Sequence, residues 1–311
     1  MSGGNLTVIV PTYNRKTILK KTLEAYGQQT AGNEILEILV VDDGSTDGTG
    51  HLVSEFARTS AFPIRYLQQK NSGLAAARNH GIREARGKVI LFADDDIIPA
   101  PNMVAEHLAW HRKYPDLKTG VLGNVPYSPE VNPTPFQQWW GAGGVHFNPP
   151  YMYPEKGVSF SFLVFGNTSV KSEFLREIGA FDENFRTWGC EDTDYAYRLV
   201  QKGGKVLFNP DAVGYHYKRV LFSEACRVPE KSASSYRYFA TKEAGIKYFE
   251  LQRRWENVRR HRIKRLLARC VVPMLFPLRP VLDSQIQLPR RVYDMFFLYH
   301  AELKNAHLRP K

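Results

Sequence analysis

The 311-residue chain is 43% hydrophobic, enough for one large α/β body with an appendage or for two domains. Three scattered cysteines, Cys190, Cys226 and Cys270, exclude a disulfide framework and a zinc cluster, and no uncharged apolar run approaches the roughly 20 residues of a spanning helix. The net charge of +11 is lopsided: residues 1–217 hold 21 basic and 23 acidic side chains, residues 218–311 hold 21 and 8, so a near-neutral body carries a basic tail suited to an anionic partner.

Strand character begins at Leu6–Val10, with no basic region and apolar signal core before it, and a cytoplasmic, reducing setting is expected. The run ends in Pro11-Thr-Tyr-Asn-Arg15, and a helical pattern follows from Thr17 to Gln28. Ile35–Val41 reads as a second strand. It ends in Asp42-Asp-Gly-Ser-Thr-Asp-Gly48, whose Ser45, Thr46 and Asp47 suit the N-cap of a helix to about Arg58. A third strand, Ile64–Leu67, leads to Asn71-Ser-Gly73 and an Ala-rich helix to about Ala85. Val89–Ala93 reads as a buried strand that runs straight into Asp94, Asp95 and Asp96. Three adjacent carboxylates repel one another and are costly to bury unpaired; at the C-terminal edge of a parallel sheet a cation relieves both problems. A solvated acidic turn is the plainer reading of such a cluster. Alternating strands and helices with short links predict a parallel sheet between helices, which gathers the polar loops 12–15, 42–48 and 94–96 on one edge. Neither a Gly-x-Gly-x-x-Gly turn nor a P-loop is present.

A helix at Pro101–Tyr114 and a strand near Gly120–Val125 are expected next. Residues 126–154 hold seven prolines and the aromatics Trp139, Trp140, Phe147, Tyr151 and Tyr153, and are expected to form a mobile substrate loop hinged at Gly141–Gly144. Phe160–Phe165 reads as a strand ending in Gly166-Asn-Thr-Ser169, followed by a short helix, Ser172–Ile178. After a turn at Trp188-Gly189, the acids Glu191, Asp192 and Asp194 occupy the first turn of a helix, where the macrodipole favours carboxylates. Two short strands, Lys205–Phe208 and Ala212–His216, close the body.

Four segments, Val8-Ile-Val-Pro-Thr-Tyr-Asn-Arg15, Val40-Val-Asp-Asp-Gly-Ser-Thr-Asp47, Gly73-Leu-Ala-Ala-Ala-Arg-Asn79 and Phe92-Ala-Asp-Asp-Asp96, stand in order ahead of Gly166-Asn-Thr-Ser169 and Trp188-Gly-Cys-Glu-Asp192. Together they resemble glycosyltransferase family 2, the nucleotide-sugar-dependent enzymes of the GT-A fold, over roughly residues 5–217. The resemblance implies an α/β body of the GT-A type over residues 1–217, a Rossmann-like, mostly parallel sheet between helices. Its nucleotide-sugar half would run to about residue 125 and its acceptor half from about 126 to 217; residues 218–311 lie outside the resemblance and read, from their own charge and pattern, as a basic, largely helical C-terminal extension. The resemblance further implies an inverting, metal-assisted transfer from a nucleoside-diphosphate sugar to a hydroxyl of a glycan or lipid-linked glycan, in cell-surface polysaccharide biosynthesis. Pro11, Tyr13 and Arg15 would line the nucleotide pocket, Asp43 would accept from the base, and Arg78 and Asn79 would frame the nucleotide. Asp94 and Asp96 match the Asp-x-Asp that contacts the ribose and bridges through Mn²⁺ or Mg²⁺ to the diphosphate, and Asp95 between them joins the nucleotide set. His216 falls where relatives place a metal-binding histidine. Asp192 matches the catalytic base, with Glu191 beside it, and Trp188, Gly189 and Asn167 fall on the acceptor side.

The chemistry agrees with these assignments. A hard cation held by carboxylates offsets charge developing on a leaving diphosphate, and a carboxylate taking the acceptor proton contributes ~10²–10⁴-fold. A nucleotidyltransferase on a similar fold and a non-catalytic glycan- or membrane-binding scaffold are the alternatives. The scaffold would be expected to have lost the carboxylates that this chain keeps.

Residues 230–269 read helical and end in the Arg-rich stretch Arg253–Arg269, followed by the apolar stretches Val271–Leu278 and Met295–Tyr299. A basic amphipathic helix beside apolar patches predicts peripheral docking on an anionic membrane surface. Packing of the helix on the body, with solvated arginines, is the alternative. Nucleic acid, which fits the charge alone, is not expected as a partner.

Overall fold

The computed structural model describes residues 5–142, 152–187, 189–225, 227–256, 270, 273–274, 277 and 279–295. Four apolar runs form its parallel half: β1 (Leu6–Thr12), β2 (Ile35–Asp42), β3 (Ile64–Gln68) and β4 (Val89–Ala93). Their side chains alternate between two buried layers. Val8, Val10, Ile38, Val40 and Leu91 meet α1 (Lys16–Tyr26), α2 (Thr49–Thr59) and α4 (Met103–Lys113). Ile9, Leu39, Val41, Ile90 and Phe92 meet α3 (Leu74–Glu84), α6 (Ser172–Ile178) and α7 (Glu191–Gln201). Burial on both faces is why these strands read as continuous apolar runs.

The sheet is completed by β5 (Ile97–Pro99), β6 (Thr119–Asn124), β7 (Asn167–Lys171) and β8 (Lys205–His216), in the order β3-β2-β1-β4-β7-β6-β8-β5. β7 runs antiparallel between β4 and β6, with Ala93 opposite Asn167. Its N-terminal end therefore lies at the edge where β1, β2 and β4 end. β5 pairs antiparallel with the end of β8, Ile97 opposite His216, which brings the acidic triplet and that histidine together.

Several expectations are corrected. The strand read at Phe160–Phe165 is a 3₁₀ turn at Phe160–Phe162, and Asn167–Lys171 is the strand instead. The two short closing strands are one bent strand, β8, and β5 was not foreseen. The cap of α2 is displaced: Gly48 is the N-cap, and Asp47 accepts from the amide and hydroxyl of Thr49 at 3.1 and 2.6 Å. Much of the proposed mobile loop is ordered. It holds a 3₁₀ turn at Pro129–Val131 and the helix α5 (Pro135–Ala142), whose Phe136 and Trp140 are buried against α8 (Phe222–Ala225) and against Leu282 and Tyr293. Burying those aromatics outweighs the breaking effect of the prolines. The Gly143–Gly144 part of the hinge, Phe147 and Tyr151 lie outside the described residues.

The extension continues as α9 (Val228–Ala240) and α10 (Glu243–Glu256), which pack on α7 and the loop before it. Most of the Arg-rich stretch, from residue 257 to 269, and most of the apolar stretches after it lie outside the described residues. Among the described residues no helix is long and apolar enough to cross a membrane, and neither Cys190 nor Cys270 is in a disulfide.

Candidate active site

Two loops at the sheet edge are stapled together. The Asn14 amide donates to Ser45 Oγ at 2.7 Å, the Thr46 amide to Asn14 Oδ1 at 2.8 Å, and the Lys16 amide to Asp47 Oδ2 at 2.9 Å. Between them Asp43, buried, accepts at Oδ1 from Gln69 Nε2 and the Ser72 amide, and at Oδ2 from the Gly73 amide, each at 2.8 Å. Gly73 sits at φ 93°, where a side chain would be strained, and this turns its amide to Asp43. Of about four lone-pair sites on a carboxylate, one on Oδ2 remains. Pro11 is buried beneath this edge, while Tyr13 is 48% exposed upon it.

The acidic triplet divides its tasks. Asp95 is buried, accepts from Thr12 Oγ1 at 2.7 Å and pairs with Arg15 Nη1 at 3.0 Å. Burial pushes it up to about 7, in spite of the Arg15 charge. Asp96 pairs through Oδ2 with Arg15 Nη2 at 2.6 Å and with His216 Nε2 at 3.5 Å. Burial opposes its charge too, but the hydrogen bond and charge of His216, with the charge of Arg15, hold it well below the usual carboxylate range. His216 is set by backbone bonds on both sides: its amide donates to Pro126 at 2.8 Å, and the Tyr217 amide donates to Asp96 at 2.7 Å. The ring of Tyr127 stacks on it at 5.4 Å.

The third carboxylate, Asp94, belongs to a different cluster. Arg78, fully buried on α3, donates from Nη1 to Asp192 Oδ1 at 2.5 Å and from Nη2 to Asp94 Oδ1 and the Phe165 carbonyl, each at 3.2 Å. Glu191 Oε1 stands 3.9 Å from the same guanidinium. The Phe165 amide donates to Asp192 Oδ2 at 3.0 Å, and the Gly189 amide to Glu191 Oε2 at 3.0 Å. Glu191 is buried and is pushed up to about 7 by burial and by the neighbouring Asp192 charge. Asp94, raised to about 6 chiefly by burial against the pull of Arg78, and Asp192 keep 30% and 19% of their side chains exposed. These are the two carboxylates of the cluster that reach solvent. Gly166 makes the room: a Cβ there would lie 2.6 Å from Asp94 Oδ2.

A divalent cation fits part of this arrangement. Ligands of an octahedral ion at 2.0–2.1 Å stand about 3 Å apart, and the Asp96 and His216 donors are 3.5 Å apart. Among the described residues no group of three or more His, Cys, Asp or Glu gathers to hold a metal. The donor set therefore suits a cation completed by ligands from outside the protein rather than one caged by it.

Three expected site residues are corrected. Arg78 is spent on protein carboxylates rather than on a nucleotide. Asn79 is buried, its amide bonded to the Phe181 backbone at 2.9 and 2.7 Å and to Glu183 at 2.8 Å, so it ties down the loop after α6. Asn167 is 0% exposed and bonds His107, Asn124 and Ala212, a support of the sheet rather than an acceptor contact. Gly189 supports Glu191, and Trp188 lies outside the described residues. Thr12, Tyr127 and Gly166 went unassigned. Thr12 and Gly166 stood inside quoted motifs, whereas nothing local marks Tyr127, which reaches His216 through an isolated bridge.

The geometry defines a class: an α/β sheet whose C-terminal edge gathers a buried, hydrogen-bonded carboxylate, an acidic triplet and a carboxylate at a helix start. The chain matches the pattern of "Glycosyl transferase family 2" over residues 7–179 and that of "N-terminal domain of galactosyltransferase" over residues 149–220. It belongs to glycosyl transferase family 2. Chondroitin synthase of Escherichia coli is 31% identical across 68% of this chain and 34% of its own length. Validoxylamine A glucosyltransferase of Streptomyces hygroscopicus subsp. limoneus is 30% identical across 64% of this chain and 48% of its own. The chain thus spans a third to a half of these relatives. The mannosyltransferase PcManGT of Pyrobaculum calidifontis, solved with GDP-Man and Mn²⁺, superposes with a TM-score of 0.59 at 19% identity over 98% of this chain and 88% of its own. TarS of S. aureus, residues 1–349, gives 0.58 at 17% identity over 97% and 90%. The fold is GT-A.

Proposed function

We propose that the protein transfers a sugar from a nucleoside diphosphate to an acceptor hydroxyl with inversion, and that Asp192 is the general base. The observation that carries this is the pair of solvent-reaching carboxylates, Asp94 and Asp192, held on one buried guanidinium. Arg78 and the Phe165 amide fix Asp192 by one bond to each oxygen and leave each oxygen a lone pair for the acceptor proton. Glu191, raised toward neutrality, keeps its proton longer and spares Asp192 a like charge alongside. A single base with one displacement would invert the anomeric centre, with Asp94, the other solvent-reaching carboxylate, serving the donor side.

On the donor side the free lone pair of Asp43 suits a base N–H, and Tyr13 offers a ring for stacking. Asp96 and His216 would hold the cation, with Mn²⁺ or Mg²⁺ as candidates; mannosyltransferase PcManGT and GalNAc-T7 were each solved with Mn²⁺. Such an ion supplies charge stabilisation to the leaving diphosphate. Arg15, paired with both Asp95 and Asp96, holds the two carboxylates in register and favours the charged form of Asp96. A glycan or lipid-linked glycan is the acceptor class this reading favours, at a cytoplasmic membrane surface approached through the basic extension.

Asp192→Asn is expected to abolish transfer, by at least the roughly 10²-fold of a lost base, while leaving donor binding intact. Asp96→Ala is expected to weaken Mn²⁺-dependent donor binding itself, read by calorimetry. Near-normal turnover by Asp192→Asn would remove the base assignment, and pyrophosphate rather than nucleoside diphosphate as product would indicate a nucleotidyltransferase.

A further inference from the structure

The basic extension was expected to be an appendage, yet its first helices seal one side of the segment that carries Asp192. One face of α9, with Ser232, Ser235, Tyr236 and Phe239 at helical spacing, lies against residues 185–187 and 189–191. Ser235 Oγ donates to the Thr187 carbonyl at 2.6 Å, and the Thr187 hydroxyl lies 2.8 and 2.7 Å from the hydroxyls of Ser234 and Ser235. Ser232 is buried, and a Cβ on Gly189 would stand 3.4 Å from it. Phe239 packs with Phe185 and Tyr197.

Lys242, between α9 and α10, completes the grip. Its ammonium is bonded to Asp182 and lies 3.0 Å from Asp194 Oδ1, and Tyr238 donates to the same Asp182 oxygen at 2.8 Å. Asp182 and Asp194 come from opposite ends of the stretch that contains Asp192. One cation thus joins two carboxylates that would otherwise repel, and the buried Asp194 also pairs through Oδ2 with Arg198 Nε at 3.1 Å. Between the two anchors Cys190 holds φ at 72°, a conformation a non-glycine residue keeps only where its surroundings impose it.

We propose that Lys242 is a positioning residue for catalysis. With the Ser235–Thr187 contact it holds the 182–194 stretch so that Asp192 stays on Arg78, and α9 is thereby part of the acceptor site. This rests on Asp192 acting as the base; Lys242 itself touches no reacting atom.

The test compares Lys242→Met, Lys242→Arg and Ser235→Ala in the full chain. Lys242→Met is expected to lower kcat roughly 10- to 100-fold with the donor KM nearly unchanged, because the donor is bound from β1, β2 and β4. Lys242→Arg keeps the bridging charge and recovers most of the loss. Amide hydrogen exchange should rise about tenfold or more over residues 183–194 in Lys242→Met, more weakly in Ser235→Ala, and stay level over β1 and β2. Unchanged exchange over 183–194 overturns the proposal whatever the activity, and protection lost throughout the sheet does the same by making Lys242 a general stabiliser. Unchanged kcat in Lys242→Met overturns it while leaving Asp192→Asn to decide the base independently.

Discussion

At the scale of single residues, one guanidinium organises the chemistry. Arg78 is buried and always charged, so the carboxylates around it compete for a single cation. Two of them reach solvent, and Glu191 does not. That difference has a measurable consequence. Glu191 binds its proton up to about 7 in the folded protein, against 4.5 for an ordinary glutamate, so the folded state holds a proton the unfolded chain has released. Its contribution to stability is fully present below about pH 4.5 and is lost as pH rises through about 7. Asp94 and Asp95 are raised as well, so the wild-type curve alone is not diagnostic; the difference from Glu191→Gln is. The variant should match the wild type near pH 4 and gain on it by pH 8, on the order of a few kcal/mol at most, in urea midpoints across that range. A constant offset across the range would mean that Glu191 is not protonated near neutrality.

At the scale of elements, β7 explains most of what the sequence concealed. Asn167, Thr168 and Ser169 look like a polar loop, yet they form a central strand with no exposed surface. Thr168 Oγ1 donates to the Val164 carbonyl at 2.6 Å, and a relay satisfies Asn167 and Ser169. His107 Nε2 meets Asn167 Oδ1, His107 Nδ1 meets Ser169 Oγ and His111 Nε2 meets the same hydroxyl, each at 2.8 Å; Lys171 closes the row on His111 Nδ1 at 3.2 Å. Burial drives His107 down to about 4 and His111 to about 3, so both are neutral in the folded state. The unfolded chain takes up those protons near 6.5, and the stability they allow is complete above that value and is lost as pH falls toward 4. His107→Gln keeps hydrogen-bonding atoms without the titration, and should flatten the pH dependence of unfolding between 6.5 and 4 by about one proton. An unaltered slope would count against a buried neutral His107. The same relay shows where reading a sequence stops. Val8, Val40 and Leu91 alternate locally, and the loops after them carry Asp43 and Asp94–Asp96 in the open. The partners of Asn167 and Ser169 lie about sixty residues away on α4, and a polar strand is legible only with those partners in hand. β5 was hidden for a similar reason: three residues acquire strand geometry only because β8 folds back to meet them.

At the scale of the whole molecule, the charge asymmetry and the packing pull the extension in two directions. Its first helices are committed to the body through Lys242, Ser235 and Phe239, and its last part through Leu282 and Tyr293 on Phe136 and Trp140. Cutting the chain near residue 220 would therefore expose both apolar clusters, and a loss of membrane binding after such a cut would say nothing about charge. Five of the basic residues, Arg259, Arg260, Arg262, Lys264 and Arg265, instead lie between the two packed parts in sequence. Changing these five to glutamine in the full chain isolates the electrostatic term. If the stretch docks on an anionic leaflet at about 1 kcal/mol per basic residue, the change should weaken partition onto phosphatidylserine vesicles at low salt by roughly three to four orders of magnitude. Binding of the unchanged chain should also fall steeply as salt shortens the screening length below about 10 Å. Flotation that is equal for the two chains, or absent for the parent, would reduce the basic stretch to a solvated surface. Among the described residues, the two packed parts would then leave the extension as a brace on the body.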